Sequence, residues 1–267
     1  MYKKAYGIIE TLAPLHVGAT AGEESGNLNL IFRDQFTQTG IIPGSSLRGR
    51  FRAEMRRYDS EKEVSYWYGE GAGSEQSEIN NESIVKFEHA SIIWLPVFCP
   101  GQPIVWVSSP RLLQRYKRIA GIKAEIPDIY VASSNIRARE SKGKKTLFFN
   151  LGFLDINRTE NLSQWFPEGK ELPAVIVDDS DIAMIHDMAL YRQSRVRLKN
   201  DQKVVDGGGF FNTEALPEGT ILVFPIALRD DKLNNKWEPF ADNINTDIYF
   251  GGLESIGFGH CHLTIVN

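Results

Sequence analysis

Residues 40–57 combine the residue types that hold phosphate groups. Pro43 and Gly44 end an extended segment, and Ser45 and Ser46 follow at the start of a helical pattern. Either serine can cap the free N–H groups of that helix, and such N–H groups attract anions. The segment therefore predicts a phosphate-binding site at the start of a helix.

The predicted helix has one apolar face, and its other faces are basic. Leu47, Phe51 and Met55 recur every four residues, which puts them on one buried side. The other faces carry the arginines Arg48, Arg50, Arg52, Arg56 and Arg57. One side can pack while the other binds phosphate. The alternative is an ordinary amphipathic helix whose arginines are solvated or paired with carboxylates.

The charge of the chain excludes a protein that coats nucleic acid through bulk positive charge. The formal net charge is −4 over 267 residues, so any binding of nucleic acid must come from local patches. Of the 30 lysines and arginines, 20 fall in four segments. These segments are residues 48–57, 111–123, 137–145 and 192–203. A surface that follows phosphates requires such segregation, although solvated charge clusters give the same pattern.

Composition and cysteine usage indicate a soluble, cytoplasmic protein. No segment approaches the roughly 20 uninterrupted apolar residues that a membrane helix requires. The first residues lack the apolar run of a secretion signal. Cys99 and Cys261 have no metal-ligand spacing, so we expect both in the core and predict no metal site.

Strands and helices alternate along the chain in a way that predicts an α+β fold. The expected elements are a strand at 5–12, a helix at 45–58, strands at 83–98 and 104–108, a helix at 110–120 and a strand at 220–229. A Pro-Gly turn joins the second and third strands into a hairpin. This order is typical of a ferredoxin-like (RRM-like) core, which the last strand completes.

About a hundred residues, approximately 121–215, separate the second predicted helix from the last predicted strand. Such a length is too great for a structureless connection in a compact domain, so we expect a projecting subdomain inserted into a single domain that spans 1–267. Within the insertion, 178–190 has a helical pattern, and 192–209 predicts a basic β-ribbon with a glycine tip.

Three segments of the chain resemble the RAMP superfamily, and specifically the backbone subunits of type III CRISPR effector complexes. The first runs from Leu-His-Val-Gly at 15–18 through Phe-Arg-Asp at 32–34 to Ile-Pro-Gly-Ser-Ser-Leu-Arg-Gly at 42–49. The second is Glu-Ala-Leu-Pro-Glu-Gly-Thr at 214–220, and the third is the glycine-rich run at 251–259.

The resemblance implies a ferredoxin-like palm with an inserted β-hairpin thumb, and a function in antiviral RNA-guided interference. Its partners would be a CRISPR RNA guide, the complementary target RNA and other type III effector subunits, with no membrane. The thumb would be the ribbon at 192–203 or the segment 137–145. The implied RNA-binding residues are Pro43, Gly44, Ser45, Ser46, Arg48, Arg50, Arg52, Arg56, Arg195, Arg197, Gly251, Gly252, Gly257 and Gly259.

The resemblance also bears on cleavage of target RNA. Active members carry an aspartate a few residues before the Arg-Asp pair, whereas this chain has Gly-Asn-Leu-Asn-Leu at 26–30, with no aspartate near Asn27. An asparagine lacks the charge that suits a hard divalent cation. We therefore expect a subunit that binds RNA without a cofactor and without its own cleavage site. The alternative is a Mg²⁺-dependent endoribonuclease that uses Glu23 or Glu24, assisted by His16 or Asp34.

Two further expectations concern residues outside these segments. His260 and His262 alternate on a terminal strand with no carboxylate or cysteine at suitable spacing, which favours a structural role. A third possible function is a protein-binding module unrelated to RNA. The aromatic cluster at 66–68 and the exposed-looking pair Trp165 and Phe166 permit that interpretation.

Overall fold

The computed structural model describes residues 1–19, 28–69, 82–141, 143–199, 202–229, 236–240 and 244–266, with side chains excepted at 141, 197–199 and 202–209. The strands are β1 (Tyr2–Thr11), β2 (Leu28–Asn29), β3 (Ile41–Ile42), β4 (Val85–Phe87), β5 (Ala90–Cys99), β6 (Gln102–Ser108), β7 (Val131–Ser133), β8 (Arg139–Ser141), β9 (Lys144–Phe149), β10 (Gly152–Ile156), β11 (Arg158–Glu160), β12 (Ala174–Ile176), β13 (Tyr191–Lys199), β14 (Gln202–Ala215), β15 (Ile221–Arg229), β16 (Asn245–Tyr249) and β17 (His260–Val266). The α-helices are α1 (Gly44–Met55), α2 (Glu61–Tyr68), α3 (Pro110–Ala120) and α4 (Ile182–Ala189).

An eleven-stranded sheet forms the centre of this mixed α+β protein. Its main path runs β11-β7-β12-β6-β5-β15-β1-β17-β16, while β3 pairs with β5 and β4 with β15. At the centre, β1 lies between β15 and β17 and is antiparallel to both. Two further sheets have three strands each, in the orders β10-β9-β8 and β13-β14-β2.

The central strands are buried on both faces. Successive side chains of a strand point to opposite sides, so Ile9 of β1 packs in the cluster that contains α1, whereas Ile8 packs in the cluster that contains α3. In β15, Phe224 packs in the cluster that contains α1, and Val223 packs in the cluster that contains α3. This double burial explains why the sequence of β15 is a near-continuous apolar run rather than an alternating one.

Several predicted elements are confirmed. The helix α3 begins at Pro110 and ends at Ala120, and Gly121 follows in the left-handed conformation with φ 71°. A turn with Gly101 at φ 87° joins β5 and β6 into the expected hairpin. The basic ribbon is the antiparallel pair β13 and β14. The predicted glycine tip is wrong, because Gly207, Gly208 and Gly209 lie inside β14.

Residues 121–215 divide between the large sheet and the two small ones. β7, β11 and β12 extend the large sheet, where β12 runs parallel to β6. β8, β9 and β10 form a separate sheet, and β13 and β14 form the ribbon. This segment therefore contributes to the central sheet as well as to the parts outside it.

The aromatic residues that permitted a protein-binding surface are mostly buried, which corrects the expectation from the sequence. Trp165 and Phe166 lie in the core, and Phe166 stacks on Trp94 with ring centroids 4.4 Å apart and planes 2° apart. The indole N–H of Trp94 also donates to the backbone oxygen of Trp165 at 2.8 Å. In α2, Trp67 and Tyr68 are fully buried.

Among the described residues, no helix has both the length and the apolar character needed to span a membrane.

Candidate nucleic-acid interface

The helix α1 begins at Gly44, with Pro43 as its N-cap residue. A side chain at Gly44 would not fit, because its Cβ would lie 2.5 Å from the backbone oxygen of Phe87. The N–H groups of Ser46 and Leu47 donate to the Pro43 oxygen at 3.0 and 3.1 Å. Within the described ranges, the N–H groups of Gly44 and Ser45 have no acceptor, so they are available to an anion.

The predicted capping by a serine is wrong. Because the helix starts at Gly44, Ser45 and Ser46 lie inside its first turn, and no side chain caps its start. Both serines are exposed, and so is Gly49, where a Cβ would have no other atom within 4 Å. Ser45, Ser46 and Gly49 thus form an open surface of small residues, the α1 patch, beside the free N–H groups.

Each arginine of α1 contacts an oxygen atom of the chain. Arg48 donates to the backbone oxygen of Tyr68. Arg50 and Arg57 both pair with Glu54, the latter at 3.0 Å. The alternative that these arginines are paired is therefore correct for the isolated chain. The pairing also holds the guanidinium groups in fixed positions on the helix.

Positive charge is crowded at the C-terminal end of α1. Arg52 and Arg56 share the single carboxylate of Glu61, at 3.6 and 2.7 Å. Burial, followed by the repulsion of Arg56 and Arg48, lowers the pKa of Arg52. Two guanidinium groups pair with one carboxylate, which leaves an excess of positive charge. An added anion would therefore be attracted to this side of the helix.

The glycine-rich segment packs against the His-Val-Gly segment and reaches α1. Gly251 has φ 77°, and a Cβ there would lie 2.1 Å from the His16 oxygen. The N–H of Gly252 donates to the same oxygen at 3.0 Å. Glu254, in a single 3₁₀ turn, approaches Arg50 at 3.7 Å. This contact connects the glycine-rich segment to the basic helix.

The four predicted glycines of this segment differ in their surroundings. Gly259 has φ 83°, and a Cβ there would lie 2.3 Å from the Phe250 oxygen. Around Gly252 and Gly257 a Cβ would meet no other atom within 4 Å. Gly251 and Gly259 therefore serve packing within the chain, while the space beside Gly252 and Gly257 is open.

An ion-pair cluster ties the start of the ribbon to the segment before α1. Arg33 lies 3.1 Å from both Asp187 and Glu214. Arg192, at the start of β13, lies 2.9 and 3.1 Å from the same two carboxylates. Nearby, Nδ1 of His16 lies 2.6 Å from the backbone oxygen of Glu214. Segments far apart in the sequence thus meet on one side of the molecule.

The family model of the RAMP superfamily matches residues 8–262, which is most of the chain and includes all three of these segments. The chain belongs to the RAMP superfamily. A comparison with curated proteins finds no significant match.

Two solved structures share the fold of this chain. A type III-B Cmr-beta complex bound to cognate target RNA contains a chain with TM-score 0.71 and 20% identity, with 98% of this chain and 97% of that one covered. Oligomeric Cmr4 from Pyrococcus furiosus has TM-score 0.68 and 19% identity, with 98% of each chain covered. The matches extend over nearly the whole length, so the similarity includes residues 121–215 as well as the central sheet.

Three of the residues that bear on cleavage by this RAMP chain lie outside the described residues. They are the candidate carboxylates Glu23 and Glu24, and Asn27, near which the sequence lacks the expected aspartate. The missing cleavage site near Asn27 therefore stays a prediction from the sequence, and so does the alternative that Glu23 or Glu24 supplies one.

Asp34, another candidate catalytic residue, braces its own loop. Its Oδ1 accepts from the N–H groups of Phe36 and Thr37 at 3.0 and 2.8 Å. Burial alone would raise the pKa of Asp34, but the hydrogen bonds from Thr37 and Phe36 outweigh it and hold the pKa below its ordinary value. These contacts give the carboxylate a structural task within the loop.

The described residues near Asp34 do not fit a Mg²⁺ ion. Magnesium prefers an octahedral set of oxygen ligands, usually including one or two carboxylates. One carboxylate oxygen of Asp34 already accepts hydrogen bonds from two N–H groups of its own loop. Within the described part of the chain, no group of three or more histidines, cysteines or acidic residues is arranged to hold a metal.

The ribbon carries the remaining predicted RNA-binding residues. The guanidinium carbon of Arg195 lies 4.9 Å from the centre of the Phe211 ring, so this arginine is held against the opposite strand. Arg197 lies in β13, but its side chain is outside the described residues.

His186 is a buried residue that the sequence analysis missed. Its Nε2 accepts from the N–H of Gly40 at 2.9 Å, which links α4 to the strand before α1. Burial, followed by the nearby charge of Arg33, lowers the pKa of His186 to about 3. A helical histidine in an apolar stretch gives no signal in the sequence that it will pair with a backbone group 146 residues away.

The low pKa of His186 predicts acid sensitivity of the fold. In the unfolded chain this histidine takes up a proton near its ordinary pKa of 6.5, whereas the folded protein takes it up only near 3. The unfolded state therefore binds more protons between these values, and stability falls as the pH drops below about 6.5 at up to ~1.4 kcal/mol per pH unit. Denaturant unfolding of His186→Gln at pH 7 and 5 should show a smaller difference than in the wild type, because glutamine can still accept from Gly40. An equal difference in both proteins would contradict this origin.

His260 and His262 have a carboxylate partner that the sequence did not reveal. Asp247 lies directly opposite His262 in the pair β16 and β17. Its Oδ1 is 2.7 Å from Nδ1 of His262, and its Oδ2 is 3.6 Å from Nε2 of His260. Sequence spacing could not show this partner, because strand pairing brings together residues that are distant in the sequence; the structural role expected for both histidines stays a prediction.

Proposed function

We propose that this chain is a CRISPR RNA-binding backbone subunit of a type III RNA-guided interference complex. It holds guide phosphates on α1 and the glycine-rich segment and helps to shape the guide-target duplex. Its partners are the guide RNA, complementary target RNA and the other subunits of the complex. Binding requires no cofactor, and the chain acts without a cleavage site of its own.

The observation that carries this proposal is the exposed start of α1. Free N–H groups at Gly44 and Ser45 lie beside the small exposed residues of the α1 patch, and the crowded arginines Arg52 and Arg56 lie at the other end of the same helix. Such a place binds a phosphate without reading a base, so the expected binding is independent of sequence. Family membership and the match to a complex bound to cognate target RNA support RNA as the source of the phosphates.

We further propose that the four antiparallel strands β17, β1, β15 and β5 form the ferredoxin-like palm of a single domain spanning residues 1–267. The helix α1 connects β1 to β5 in this arrangement, as the first crossover of a ferredoxin-like fold does. This proposal revises the layout expected from the sequence, because β15 becomes the third palm strand instead of 104–108, and β17 becomes the last strand instead of 220–229. The insertion between β5 and β15 then contains β6 and α3 as well as residues 121–215.

The ribbon β13–β14 is the better of the two predicted thumbs. The short strand β2, which follows residues 20–27, pairs with the base of β14. The ion-pair cluster fixes the same base through Arg192 and Glu214. A thumb must keep a fixed position relative to the palm, and this ribbon has the contacts to do so.

Charge at the α1 patch provides the test. The double variant Ser45→Asp/Ser46→Asp places two carboxylates where a phosphate is proposed to bind, and the expected loss of affinity for a guide-length single-stranded RNA is roughly tenfold or more. The same acidic residues lie in the first helical turn, where they favour the helix. Stability should therefore stay equal or rise while RNA affinity falls.

The matched control is Ser45→Asn/Ser46→Asn, which has nearly the same size without the charge. We expect it to bind RNA within about threefold of the wild type, as measured by fluorescence anisotropy at several salt concentrations. Equal RNA affinity and equal salt dependence in the Asp and Asn variants would rule out phosphate binding at this patch.

A further inference from the structure

A second concave surface lies apart from α1, where the β5–β6 turn meets the sheet of β8, β9 and β10. The cavity has a volume of about 640 Å³, which lies within the usual range for small-molecule sites. Two aromatic residues, Phe148 and Phe153, and two arginines, Arg137 and Arg139, line it. The function proposed above uses none of these four side chains.

The aromatic residues form an exposed pair on neighbouring strands. Phe153 lies directly opposite Phe148 in the register of β10 and β9, and the ring centroids are 5.0 Å apart with planes at 49°. Phe153 is 77% exposed and Phe148 is 40% exposed. A ring as open as that of Phe153 adds little to the core, but it offers a flat apolar face on which a base can stack.

The arginines supply a charge that no described carboxylate neutralises. Arg137 and Arg139 are exposed, and neither forms an ion pair with any residue of the described ranges. Asp155, the one carboxylate among the described residues that line the cavity, accepts from Thr146 at 2.8 Å and lies 3.8 Å from Lys144. These contacts offset its charge, so the arginines favour an anionic ligand.

The cavity has a rigid base. Two other lining residues, Leu147 of β9 and Cys99 at the end of β5, are buried. The strand β9 packs against β5, with Leu147, Phe149 and Cys99 in one apolar cluster. The Arg137 N–H also donates to Oε1 of Gln102 at 2.6 Å, which fixes the start of the basic segment on β6. A site with such support needs little reorganisation to bind.

We propose that this cavity binds an unpaired nucleotide of a single-stranded RNA. The base stacks on Phe153 beside Phe148, and a flanking phosphate lies against Arg137 and Arg139. Aromatic rings interleaved with basic side chains are the combination that holds single-stranded nucleic acid without sequence preference. An apolar protein segment would use the rings but would leave both arginines without a partner, so RNA fits the whole set of groups better.

The test uses the full chain and a five-nucleotide single-stranded RNA. A fluorescein-labelled probe is titrated by anisotropy, and a second probe with 5-iodouridine is irradiated so that the cross-linked peptide can be identified. We expect cross-links within residues 144–155 and a roughly tenfold or greater loss of the affinity associated with this site in Phe153→Ala. Phe153→Tyr keeps the ring and should bind like the wild type.

Two controls separate stacking from other effects. Leu151→Ala removes an exposed apolar side chain from the same hairpin outside the cavity, and we expect no change. Phe153→Leu keeps an apolar side chain without a ring and should bind as weakly as the alanine variant. Full binding by Phe153→Leu would instead indicate general apolar docking and would overturn the proposal, as would cross-links only outside residues 144–155.

Variants of the α1 patch and variants of the cavity should affect different RNA probes, so the two proposed sites can be tested separately. In Ser45→Asp/Ser46→Asp the short probe should still cross-link within residues 144–155, whereas Phe153→Ala should keep most of its affinity for guide-length RNA. If both sets of variants lose the same cross-links, the cavity is not a separate site and this proposal fails.

Discussion

Replacing Phe51 with alanine should lower the free energy of unfolding by about 3–5 kcal/mol, the range found for aromatic residues deleted from protein cores. Phe51 is fully buried on α1. Its ring lies 5.0 Å from those of Phe87 and Phe240 and 5.9 Å from those of Phe224 and Trp237. The alanine variant would leave a cavity among four rings, which cannot collapse without moving several elements.

Chemical denaturation with both tryptophan fluorescence and circular dichroism measures this loss. Phe36→Ala is the matched control, because Phe36 is 75% exposed and its removal should cost less than about 1 kcal/mol. If Phe51→Ala does not fold, Phe51→Leu should still show a smaller loss of stability. A loss below about 1 kcal/mol in Phe51→Ala would mean that the packing of α1 on the sheet is wrong.

The position of Phe51 also connects the core to the proposed RNA site. The helix that carries Ser45, Ser46 and Gly49 on its exposed side is anchored by Leu47, Phe51 and Met55 on the other. The apolar spacing of these three residues therefore sets which way the α1 patch faces. A less well-packed variant should lose RNA affinity together with stability, unlike the charged serine variants.

Local signals in the sequence predicted α1, α3 and α4 but not α2, which spans Glu61–Tyr68. Pro110 can only begin a helix, and Gly121 supplies the left-handed residue that ends it, so α3 was predicted to the residue. The four-residue repeat of α1 gave its buried face correctly. The start of α1 was missed because Gly44 fits there for a reason that lies elsewhere in the chain, its contact with the Phe87 backbone.

Contacts between residues that are distant in the sequence could not be predicted from the sequence pattern. Nothing local indicates that β12 pairs with β6, or that Trp94 will cover Phe166, because these depend on which strands become neighbours. The pairing of Asp247 with His262 and of Gly40 with His186 has the same origin. Topology also decides that β15 lies between β1 and β5 while β17 flanks the other side of β1.

The candidate site was predicted in its parts but not in its geometry. The three segments that resemble the RAMP family were identified by residue type, and the fold brings them together through Gly251 on His16 and Glu254 near Arg50. The sequence pattern did not indicate that Glu54 pairs with Arg50 or that Glu61 pairs with Arg56. These carboxylates reduce the net positive charge of α1, so the exposed backbone at its start is a larger part of the expected anion binding.

Replacing Gly251 with alanine should have the largest effect of any small substitution near the proposed site. The backbone there has φ 77°, which side chains other than glycine rarely adopt, and the new Cβ would lie 2.1 Å from the His16 oxygen. Strain in φ alone costs about 1–2 kcal/mol, and the clash with a backbone oxygen adds to it. We expect a total loss of about 3 kcal/mol in the free energy of unfolding, or local detachment of the segment.

Gly252→Ala is the matched control one residue away. Gly252 has no positive φ, and a Cβ there would meet no other atom within 4 Å, so its replacement should change stability by less than about 1 kcal/mol. Hydrogen exchange distinguishes global loss of stability from detachment, because in the latter only residues 250–259 and 16–18 should lose protection. In either case guide-length RNA should bind Gly251→Ala more weakly than the wild type, since the segment no longer lies beside Arg50. Equal stability and equal RNA affinity for the two alanine variants would show that the segment does not pack on His16 and plays no part in holding the RNA.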